Sequence, residues 1–168
     1  MTWEFDVVEF DADDGLKLGD TAPDLSRPLV GDDHWRDVSL SSLASDDSML
    51  LLFHSMNGSW PAIFLWQELR DRGWHEAYDV EIVGVTISTP YSCWEFREQW
   101  SVPYRLYSDP QNDLAEAFGV DTSEGYTERV TFVLANGEVT HAYEGVKPDG
   151  HARNVLEDIL DDGLATLD

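Results

Sequence analysis

The chain has one cysteine, Cys93, so no disulfide can form within it and the cysteine-rich patterns that hold structural zinc are missing. Lysine is nearly as scarce. Lys17 and Lys147 are the only two, and the ten basic residues face 34 acidic ones, for a formal net charge of -24. Such a surface repels nucleic acid and anionic membranes, since both require cationic contacts, and neither is expected as a partner. Long apolar runs are also lacking: the longest, Trp60 to Trp66, falls far short of the roughly 20 residues that cross a bilayer. The opening M-T-W-E-F-D-V-V has neither the basic region nor the apolar core of a secretory signal, so a cytoplasmic location is the expectation.

Other absences narrow the chemistry. His34, His54, His75, His141 and His151 are scattered without H-x-H or H-x-x-x-H spacing, so no metal site is expected. The acidic clusters Asp11–Gly15 and Gly31–His34 lack the twelve-residue loop and terminal glutamate of a calcium site and read as solvated turns. A Ser–His pair from His54 with Ser55 or Ser59 is disfavoured. Neighbours on a strand point to opposite faces, and the G-x-S-x-G elbow is missing.

What is present is a packing sequence, 42% hydrophobic and 12% aromatic over 168 residues, enough for one domain with a sizeable core. The acid is spread along the chain rather than held in a tail. Adaptation to concentrated intracellular salt, where counterions screen self-repulsion, is the favoured reading over an acidic docking face for a basic partner or metal.

Residues 1–15 read as an added N-terminal strand and turn, and residues 16–168 as a single domain. Met49–His54 is a continuous apolar run, as expected of a strand covered on both faces. After Pro61, residues Ile63, Leu65, Trp66 and Leu69 keep helical spacing until Gly73. Val80–Ser88 predicts a second buried strand. Thr89–Pro90 opens a helix running to about Gln99, and Tyr104–Tyr107 follows as a short strand. Leu114–Phe118 makes a short helix stopped by Gly119, and Arg129–Leu134 and Glu138–Tyr143 a hairpin turned at Asn136–Gly137. A last helix is expected from about Gly150 to Asp162. Strands and helices alternating in this order predict an α/β fold, a central mixed sheet with helices on both faces.

Several ordered segments carry a resemblance. They are G-D-T-A-P-D (Gly19–Asp24), F-H-S-M-N-G-S-W-P-A (Phe53–Ala62), V-G-V-T-I-S-T-P-Y (Val83–Tyr91), L-Y-S-D-P (Leu106–Pro110), L-A-E-A-F-G-V (Leu114–Val120) and R-V-T-F-V-L-A-N-G (Arg129–Gly137). Together they resemble the peroxiredoxin family over about residues 16–160, which implies a thioredoxin-like fold and a thiol-dependent peroxidase.

In that family a thiolate attacks one peroxide oxygen, the O–O bond breaks, and the resulting sulfenic acid is reduced by an external thiol. Set on the family's P-x-x-x-T-x-x-C motif, Ser55 falls at the proline, Ser59 at the threonine and Ala62 at the peroxidatic cysteine, while Arg129 keeps the family's later arginine. The resemblance thus implies a residual pocket of Ser55, Ser59, Ala62 and Arg129 without its nucleophile. The expected function is a peroxiredoxin-like protein that is not a standard thiol peroxidase and serves as a ligand-binding, regulatory or partner protein. The alternative is a peroxide-reducing or redox-sensing enzyme using Cys93 and a thiol reductant; against it stands the ordinary role of a lone cysteine as an apolar filler. No bound cofactor is implied. Trp60, Trp66, Trp94 and Trp100 lie on the two helices that border a dimer face in such folds. They suggest a homodimer, with plain core packing as the competing explanation.

Overall fold

The computed structural model describes residues 8–9, 19–32, 34–43, 48–54, 56–57, 59–73, 81–123, 125 and 130–144. The expected C-terminal helix, residues 150–162, and most of the N-terminal segment lie outside the described residues.

The strands are β1 (Val8–Glu9), β2 (Ser26–Val30), β3 (Trp35–Ser39), β4 (Met49–Phe53), β5 (Glu81–Thr86), β6 (Arg105–Ser108), β7 (Val130–Ala135) and β8 (Glu138–Glu144). The helices are α1 (Leu40–Leu43), α2 (Trp60–Arg72), α3 (Pro90–Trp100) and α4 (Asp113–Ala117). The strands form one mixed sheet in the order β1-β8-β7-β4-β5-β6-β2-β3. At its centre β4 runs parallel to β5 and β5 parallel to β6, while β7 pairs antiparallel with β4. This is the mixed central sheet of an α/β fold that the sequence predicts.

Alternation along the strands splits the core in two. Leu50, Leu52, Ile82 and Leu106 pack with Ile63, Trp66 and Leu69 of α2 and with Cys93 and Phe96 of α3. Met49, Leu51, Phe53, Val83 and Val85 face the other way, onto Leu40 of α1, Leu114 and Ala115 of α4, and Phe118. All five residues of β4 are buried, which is why the strand reads as an unbroken apolar run instead of an alternating one. The β7–β8 turn places Asn136 at φ 53° and Gly137 at φ 78°, the left-handed pair that a tight hairpin requires.

Two strands differ from the expectation. β2 and β3 form an antiparallel hairpin beyond β6, where the sequence showed only the Gly31–His34 turn. Their half-exposed residues and Pro28 give neither clean alternation nor an apolar run, as befits the rim of a sheet.

Among the described residues, no helix is long and apolar enough to cross a membrane.

Candidate functional site

The C-terminal ends of the parallel strands β4, β5 and β6 are where an open α/β sheet ordinarily presents its ligands. Here β4 leads through His54, Met56 and Asn57 into α2. Ser59 caps that helix: its Oγ accepts from the Ala62 backbone N–H at 3.4 Å, and Pro61 occupies the first turn. Ala62 is the third helical residue, fully buried. The turn is tied to the end of β5 by the Asn57 N–H, which donates to Ser88 Oγ at 2.9 Å. Ser108 Oγ on β6 donates in turn to the Ser88 carbonyl at 2.6 Å, so all three strand ends are laced together.

His54 ends the β4 run and is 2% exposed. Its Nε2 accepts a hydrogen bond from the indole N–H of Trp66 at 3.2 Å, which places the ring proton on Nδ1. The two rings meet edge to face, 5.4 Å between centroids. Gly84 on β5 makes room for both: a Cβ there would press on Trp66, on Leu106 Cδ2 at 2.7 Å and on His54 Nε2 at 3.0 Å.

Cys93 lies on the first turns of α3, fully buried in the core beside Trp66 and Ile63. Its Sγ accepts from Asn57 Nδ2 at 3.3 Å and approaches the Ser88 carbonyl at 3.9 Å. Burial pushes the thiol's pKa up to about 12, and the Asn57 amide opposes this only in part. The Oδ1 of Asn57 is buried with no hydrogen-bond partner among the described residues. The lone thiol and the α2 entrance are therefore joined through one side chain, Asn57.

The profile of the AhpC/TSA family matches residues 18–142, nearly all of the sheet and both long helices. The chain belongs to that family. It is similar to peroxiredoxin Bcp of Bacillus subtilis, 28% identical over 157 residues that cover 87% of this chain and 96% of the relative. Alkyl hydroperoxide reductase C of Mycobacterium tuberculosis is also 28% identical, over 102 residues. That match takes in 49% of this chain, which spans about half (51%) of the reductase's length. Among solved structures, peroxidoxin BcpB of M. tuberculosis superposes with a TM-score of 0.75 at 25% identity, covering 87% of this chain and 97% of the other. Peroxiredoxin Q of Xanthomonas campestris gives a TM-score of 0.73 at 24% identity, over 87% of this chain and 96% of that one, a likeness of fold.

In this AhpC/TSA chain the residues expected at the site are distributed unevenly. Ser59 and Ala62 stand together at the α2 entrance, as N-cap and third helical residue. Ser55 and Arg129 lie outside the described residues.

The tryptophans divide. Trp66 cannot serve a dimer face, because it is 0% exposed and spent against His54, Gly84 and Tyr104. Trp94 and Trp100 are half-buried against the α2–α3 core, and the side chain of Trp60 lies outside the described residues.

Sequence reasoning missed Asn57, Gly84 and the His54–Trp66 bond. A glycine inside the apolar run V-E-I-V-G-V-T was the available signal, since it marks a close approach to the strand. Nothing in the spacing announces that Asn57 reaches Cys93, 36 residues away.

Proposed function

We propose that this AhpC/TSA family member lacks the peroxidatic cysteine, does not turn over hydroperoxides by a thiol mechanism, and acts as a binding or regulatory partner through the pocket at the α2 entrance. The observation that supports the reading is a sole thiol that burial holds protonated, beside a buried methyl, Ala62, where the motif spacing sets the family's nucleophile. Peroxide reduction requires two electrons from a thiolate, and at neutral pH Cys93 supplies almost none. The residual surface offers the partly exposed Ser59, Asn57 and Ser88, polar groups that would position a small polar ligand or a partner loop without chemistry at sulfur.

The test is hydroperoxide consumption in molar salt with excess thiol reductant, for the native chain and for Cys93→Ser. The expected result is no enzyme-dependent consumption by either. Turnover by the native chain that disappears in Cys93→Ser would transfer the function to a redox enzyme working through Cys93. Mixing with an intact family member, followed by sizing, tests the partner role; co-elution supports it.

A further inference from the structure

A second candidate site lies away from the strand ends, on the outer side of α3. His34 and Trp35 at the start of β3, with Tyr91 and Trp94 from the first turns of α3, line a groove of about 290 Å³. Trp35 is 40% and Tyr91 57% exposed, an unusual outlay of aromatic surface for a chain this acidic. Tyr91 and Trp94 stack on each other, centroids 6.1 Å apart and 27° between planes, and both line the groove. All four lining residues carry rings, and none is lysine or arginine.

The local charge is negative. Glu95 beside the Tyr91 hydroxyl raises its pKa. The two nearest arginines in sequence do not fill the groove. Arg36 follows Trp35 on a strand and so takes the opposite face, while Arg97 is 6% exposed and spent on the Tyr104 carbonyl and Asp32.

We propose that this groove binds a quaternary ammonium cation, of the trimethylammonium class found in choline. The π-faces of Trp and Tyr attract a cation that has little hydration to lose, and such cages are the common means of recognising quaternary ammonium groups. The volume falls just below the roughly 300–1,000 Å³ of drug-sized sites, which suits a group of few heavy atoms. The acidic surface disfavours an anionic occupant. The same groove would accept a neutral apolar group only by its area, without the ring-to-charge attraction.

The test follows the indole N–H resonances of the full-length chain at fixed ionic strength, with Trp35 and Trp94 assigned from Trp35→Phe and Trp94→Phe. Choline is expected to shift both saturably and to leave the Trp66 resonance, buried against His54, unmoved. Its neutral isostere 3,3-dimethyl-1-butanol should bind roughly tenfold more weakly, the difference that the cation–π term supplies. Tyr91→Ala, at an exposed position that tolerates truncation, should weaken choline by a similar factor, and Tyr91→Phe should not. Equal affinity for choline and its isostere would overturn the proposal in favour of a plain apolar groove. Absence of any saturable shift would overturn it outright. Movement of the same resonances with protein concentration alone would assign the groove to a second copy of the chain.

Discussion

Cys93 is where the physical account is most exposed to measurement. A thiol at the usual 9.0 is about one-tenth ionised at pH 8, whereas one at about 12 is ionised to about one part in ten thousand. Only the thiolate attacks an alkylating agent, so the native chain should react with iodoacetamide about 10³-fold more slowly than the chain unfolded in guanidinium at the same pH, and burial of Sγ can only widen the gap. The rates are read by mass spectrometry of the modified peptide. The same shift has a second consequence. The folded value lies above the unfolded one, so burial of the protonated thiol stabilises fully below about pH 9, and that contribution is lost as pH climbs toward 12. Cys93→Ala should therefore lose less stability than the native chain between pH 9 and 11. A native alkylation rate within tenfold of the unfolded one would refute the reasoning and make the thiol available for redox chemistry.

Gly84→Ala should destabilise by about 1–3 kcal/mol in denaturant unfolding, because the new methyl collides with Trp66 and Leu106 in a packed core; an unchanged midpoint would mean that the indole is not seated there. Asp109→Ala should cost about 2 kcal/mol. It removes the carboxylate that accepts from the Leu114 and Ala115 N–H groups and that Arg27 approaches at 3.7 Å. Asp109→Asn should recover part of the loss. Melting in dilute buffer should fall well below melting in molar salt, since -24 charges then repel with a Debye length of roughly 30 Å at 0.01 M; equal melting temperatures would argue against salt adaptation.

The central fold was legible because its signals are local and redundant. Met49–Phe53 and Glu81–Thr86 are apolar on both faces, α2 and α3 each open with a hydroxyl cap and a proline, and Gly73 closes α2 at φ 63°. The β2–β3 hairpin was not legible, since a rim strand such as β3 needs no continuous apolar pattern and the pair is placed by β2 pairing with β6. The order of the α2 entrance could be carried over from motif spacing, Ser59 to Ala62. What the spacing could not carry was the environment of sulfur. Whether a lone cysteine faces a cleft or a core depends on which residues of other elements close over it, and here it lies in the α2–α3 core cluster with Asn57 on its sulfur.

That environment also bears on the proposal that Cys93 does not take over thiol chemistry from the α2 entrance. A helix terminus activates a thiolate through N–H groups that still lack partners, and the effect fades within the first turn. Ala62, which the motif spacing sets at the family's nucleophile position, is the third residue of α2, inside that zone, with its own N–H capped by Ser59 Oγ. Cys93 is the fourth residue of α3, and its own N–H already donates to the Thr89 carbonyl at 2.9 Å, while the Ser92 N–H donates to Thr89 Oγ1. The thiol thus begins where the helix field ends, with the Asn57 amide as its donor and the apolar α2 packing as its solvent. A single neutral amide stabilises a thiolate less than burial destabilises it, which is the sign of the shift found at Cys93. Restoring reactivity there would require opening the core between α2 and α3, the packing on which the sheet's covered face depends.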